Sequence, residues 1–88
     1  SEAYYNEEIV ERCIEKKTGE YLIDWSGYPG IDAVTGMPDW QSVIVVPMVD
    51  RGELKAVVYL SASIKNKEFD ASTYNYVKTL SDIMVAAF

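Results

Sequence analysis

The feature that most constrains this chain is a pair of long apolar runs joined by a four-residue turn. Ser42–Val49 reads SVIVVPMV and Leu54–Ser63 reads LKAVVYLSAS, with Asp50-Arg51-Gly52-Glu53 between them. Both runs are apolar on both pleat faces: Val43, Val45 and Val49 oppose Ile44, Val46 and Met48, while Leu54, Ala56, Val58 and Leu60 oppose Val57 and Tyr59. Side chains alternate across a strand, so strands of this kind need cover on both sides. The Gly-containing turn between them predicts an antiparallel hairpin. Pro47 has no amide donor and must sit at a bulge or where its edge of the strand is unpaired.

Two amphipathic segments can supply the cover. From Glu7 to Lys17, Ile9, Val10, Cys13 and Ile14 share one helical face, Asn6 can cap the start, and Gly19 is expected to provide the left-handed stop. Glu7 and Glu8 in the first turn and Lys16 and Lys17 in the last complement the helix dipole. The second helix is expected to begin at Asp70, with Phe69 and Tyr74 placed as a hydrophobic staple. Tyr74, Val77, Leu80, Met84 and Phe88 recur at three- and four-residue steps, and Tyr76, Ile83 and Ala87 widen the stripe. Ala86-Ala87-Phe88 carries no terminator, so the helix is expected to continue in a longer parent protein.

Glu20–Trp25 alternates as an edge strand, which should pair beside Ser42–Val49 because that run has the most continuous two-sided apolar character. Ser26 to Trp40 is punctuated by Gly27, Pro29, Gly30, Gly36 and Pro38 and is expected to hold no regular element, with a type II turn at Tyr28-Pro29-Gly30-Ile31. The sum is an α+β domain of α-β-β-β-α order, a three-stranded antiparallel sheet with two flanking helices. Loops of this length are often functional. This one brings Tyr28 and Trp40 beside Trp25 and would form the wall of a binding site, if the domain has one.

Composition narrows the functions. A chain of 88 residues is one small domain, which buries only roughly 60–65% of the surface its unfolded form exposes, so its stability is sensitive to assembly. A net charge of −6 is the wrong sign for a phosphate backbone or an anionic bilayer, so neither nucleic-acid nor membrane binding is expected. Residues 1–24 hold seven acidic and three basic side chains. There is no histidine and a single cysteine, Cys13, which fits a reducing, cytoplasmic setting and a small buried thiol on the helix face. Asp24, Asp32 and Asp39 match no calcium-loop spacing, and aspartates in turn-rich segments usually cap the backbone. No catalytic residue, metal site or cofactor is expected.

The order of elements resembles the C-terminal part of a GAF domain. In that family a helix leads into a strand ending in Asp, then a loop, a Ser-led apolar strand containing Pro, a Gly-containing hairpin, a second apolar strand, and a Phe before the last helix. Asp24, Ser42, Pro47, Gly52 and Phe69 hold those places here. The chain departs from the family at Ala56, where glycine is frequent, and lacks the family's N-terminal helix and first two strands. The resemblance implies a sensory or regulatory module of a bacterial-type signalling or transcription-control protein, working on an attached output domain. It would sense a small molecule at Asp24, Trp25, Tyr28 and Trp40 and relay the event through the last helix. The alternative is a dimerisation or transmission module with no small-molecule ligand. The absent strands would leave the edge of Leu54–Ser63 unpaired and favour a homodimer, with Val58, Leu80, Met84 and Phe88 at its interface.

Overall fold

A computed structural model describes residues 5–26 and 30–87. Tyr28 and Phe88, and most of the Tyr28-Pro29-Gly30-Ile31 turn, lie outside the described residues. The elements are α1 (Glu7–Lys16), β1 (Glu20–Asp24), β2 (Gly30–Ile31), β3 (Pro38–Asp39), β4 (Gln41–Asp50), β5 (Glu53–Ser63) and α2 (Ala71–Val85). The architecture is α+β: an antiparallel sheet in the order β1-β4-β5 carries one helix on each face. The most apolar strand is central, and Val43 to Val46 of β4 are closed to solvent.

Register separates the two faces. Val43 and Val45 of β4 lie opposite Leu22 and Glu20 of β1 and Ser61 and Tyr59 of β5. On this face Ile9 and Cys13 of α1 pack with Val43 and Val45, flanked by Leu22, Val57 and Tyr59. Ile44, Val46 and Met48 point the other way, under α2, which rests mainly on β4 and touches β1. Alternating positions of one strand therefore form two separate cores.

Caps and turns fix the ends. The Asn6 side chain accepts from the Glu8 N–H at 3.0 Å, and the Asp70 side chain accepts from the Thr73 N–H at 2.8 Å. The left-handed residue that ends α1 is Lys17, at φ 52°, and not Gly19. Lys17 then donates its ammonium to the Gly52 carbonyl at 2.7 Å, tying the helix end to the β4–β5 turn. In that turn Arg51 and Gly52 both have positive φ, at 54° and 79°, the pattern of a two-residue type I′ connection. A bulge falls between Met48 and Val49, and β1 reaches only as far as Val45, so Pro47 lies beyond the β1 ladder where no donor is required. The segment between β1 and β4 is not wholly irregular: Gly30–Ile31 and Pro38–Asp39 form a short two-stranded ribbon. Its turn is held by the Asp32 carboxylate, which accepts from Val34 and Thr35 N–H at 2.8 and 3.0 Å and pairs with Lys65.

The inward face of α2 differs from the stripe read along the sequence. Ser81 and Val85 are buried and Tyr74 and Val77 half-buried, while Leu80 and Met84 stand on the exposed flank. Ser81 is tolerated inside because its hydroxyl donates to the Val77 carbonyl at 2.8 Å.

Candidate functional site

Two places collect the residues that the sequence singles out. The first is the end of β1. Asp24 is buried, and its carboxylate accepts from Asn6 Nδ2 at 3.1 Å, from Ser26 N–H at 3.0 Å and from Ser26 Oγ at 2.6 Å. Burial alone would push this carboxyl up. The bonds from the Ser26 hydroxyl, the Asn6 amide and the Ser26 backbone together outweigh it and hold Asp24 below the usual range. The Asn6 N–H also donates to the Tyr59 hydroxyl at 3.1 Å, and Tyr5 packs edge-on against the Tyr59 ring. Asp24 thus acts as a latch between the start of α1 and the end of β1. A hollow of about 420 Å³ opens here, but Glu7 and Glu8 on its rim already complement the helix N-terminus.

Trp25 and Trp40 stand next to this latch, 62% and 38% exposed, with ring centroids 4.9 Å apart in an edge-to-face contact. Trp40 also lines an open hollow of about 320 Å³ with Met37, Pro38 and Ile64. Asp39 is held by Ser63, whose hydroxyl donates to its carboxylate at 2.7 Å. The β2–β3 ribbon does not fold over the sheet: Ile31, Val34 and Met37 are exposed. The structure brings Trp25 and Trp40 together next to Asp24, whose carboxylate is engaged with the protein's own donors.

The second place is the outer flank of α2. Tyr76, Leu80, Ile83 and Met84 are 66%, 41%, 64% and 57% exposed. The opposite flank is polar: Lys78 and Asp82 pair with each other at 3.1 Å and line a groove with Lys17, Thr18, Gly19, Pro47 and Val49, toward the start of β1. The apolar flank therefore faces the β5 side. There Val58 is half-buried and Leu60 exposed, on the sheet face that also carries Ile44 and Val46. The sequence marked Val58, Leu80 and Met84 for an interface. It did not separate the exposed flank from the inward face, and it missed the partners of Asp24, for which the capping position of Asn6 was the one available signal.

Ser42 and Phe69, two of the residues that carry the family resemblance, are joined directly: the Phe69 N–H donates to the Ser42 hydroxyl at 2.8 Å, anchoring the lead into α2 on β4. No protein-family model, curated protein or solved structure matches the chain. Among the described residues, no cluster of acidic or cysteine side chains is arranged to hold a metal, and no helix is long and apolar enough to cross a membrane.

Proposed function

We propose that this domain is a non-enzymatic, GAF-like regulatory module of a cytoplasmic signalling or transcription-control protein, acting through protein contact at the outer flank of α2. The observation that carries this reading is the run of exposed apolar side chains at Tyr76, Leu80, Ile83 and Met84 on a helix whose inward face is already packed. A contiguous exposed apolar patch of this kind marks an interaction surface. Because α2 is anchored at one end by Asp70 and by the Phe69–Ser42 bond, a contact on its flank can change its pose and pass that change to an output domain. The test is whether placing lysine at Leu80 and Met84 abolishes an association that the unchanged protein shows.

A second reading, small-molecule sensing, is favoured by the Trp25–Trp40 pair beside the hollow at Met37, Pro38 and Ile64. Apolar walls with a few polar tips suit such ligands. A thermal-shift screen of cyclic nucleotides, amino acids and metabolites, read alongside tryptophan fluorescence, tests it: a compound that stabilises the fold and changes the emission supports this reading, and a blank screen removes it.

A further inference from the structure

The apolar flank of α2 has a spacing and a charge environment that select its occupant. Tyr76, Leu80 and Ile83 follow one another at steps of four and three residues along α2, and Ala87, four further on, lies in the turn just past the helix end; this spacing lets a helix seam meet a second helix over two turns. The only charged residues of α2, Lys78 and Asp82, pair with each other on the other flank. Most of the negative charge of the chain falls elsewhere: residues 1–24, with seven acidic and three basic side chains, include α1, which lies on the opposite face of the sheet. Two copies carrying a charge of −6 each repel at most of their surfaces, and the α2 flank is where that repulsion is weakest. A strongly basic partner would find no carboxylate on this flank to pair with, whereas a second copy brings the same uncharged stripe.

Resting on the proposal that this flank is a contact surface, we infer that its partner is α2 of a second copy, laid antiparallel across a two-fold axis between Leu80 and Ile83. In that arrangement Leu80 faces the partner's Ile83, and Tyr76, the largest side chain of the seam, faces the partner's Ala87, a small residue in the turn just past the end of the helix. A parallel pair would instead set Tyr76 against Tyr76 and leave Ala87 against Ala87, so large side chains would collide at one end and a gap would open at the other. Antiparallel packing also sets the helix dipoles head to tail. Met84 borders the seam and meets the partner's Thr79. Stable interfaces bury at least about 1,200 Å² in total, more than one short seam provides. Val58 and Leu60 of β5, on the side toward which the flank faces, extend the contact.

Cysteine cross-linking tests the geometry in a Cys13→Ala background, with oxidation rates compared at matched concentration. A mixture of Leu80→Cys and Ile83→Cys proteins is expected to form the mixed disulfide on the order of tenfold faster than either forms its own homodisulfide, because only the mixed pair brings the two Cβ atoms into disulfide range. Homodisulfides that form faster than the mixed one would overturn the antiparallel arrangement in favour of a parallel one. A dimer in sedimentation with none of these cross-links would place the contact on another surface and also refute the pairing. A monomer in sedimentation would refute the contact-surface reading itself, so the two failures are distinct. Cross-linking of Ala87→Cys with Tyr76→Cys gives an independent second pair, should Leu80 or Ile83 variants fold poorly.

Discussion

Gly19 sits directly against Tyr74: a Cβ at residue 19 would lie 2.5 Å from the tyrosine hydroxyl and 2.7 Å from the Val45 carbonyl oxygen. The hydroxyl can swing away, but the carbonyl belongs to the central strand and cannot. The glycine thus permits the turn after α1 to pass between β4 and α2, and its role is close approach, not a left-handed conformation. Gly19→Ala is expected to destabilise the fold by about 1–3 kcal/mol, the usual cost of overpacking, measured by urea denaturation. Adding Tyr74→Ala should not rescue it, because the clash with Val45 remains.

Asp24 gives the protein an acid-sensitive latch. Its carboxyl is held below the usual range in the folded state, so it stabilises the fold fully above the unfolded value of about 3.9, and this contribution is lost as pH falls through the lower folded value. Denaturation midpoints should therefore drop below about pH 4, and Asp24→Asn should flatten that acid limb. At neutral pH, Asp24→Ala should cost about 1–3 kcal/mol, since it removes the charge-assisted hydrogen bonds that the buried carboxylate accepts from half-buried Asn6 and from Ser26.

Much of the fold could be read along the chain because its signals are local. The caps at Asn6 and Asp70, the turn at Arg51-Gly52 and the two-sided apolar character of β4 each depend on residues a few positions apart. What escaped were relationships fixed only in three dimensions. Gly19 meets Tyr74 across the domain, and Asn6 reaches Asp24 from 18 positions away. The ribbon at Gly30–Ile31 and Pro38–Asp39 is too short for period-two alternation to register. Along α2, apolar residues occupy so much of the circumference that periodicity could not say which half packs inward, and a buried serine at position 81 hid the true centre of the inward face.

Cys13 should behave as a protected thiol. It is buried among Ile9, Val43 and Val45, and burial, with Glu20 adding to it, pushes its pKa up, so both access and thiolate content are reduced. Labelling by a disulfide reagent at neutral pH is expected to proceed only at the rate of unfolding, and to become rapid once denaturant crosses the midpoint. Rapid stoichiometric labelling of the native protein would contradict this placement.

The central claim is that the outer flank of α2 is buried in solution against a second copy, and sedimentation velocity tests it most directly. Across a concentration series reaching tens of micromolar, at near-physiological salt, the unchanged protein should sediment as a dimer. Raising the salt should tighten it, since screening relieves the repulsion between two acidic copies while leaving an apolar contact intact. The Leu80→Lys/Met84→Lys protein should be a folded monomer with an unchanged far-ultraviolet spectrum. A wild-type monomer throughout the series, or a dimer that the double lysine substitution leaves untouched, would contradict the account.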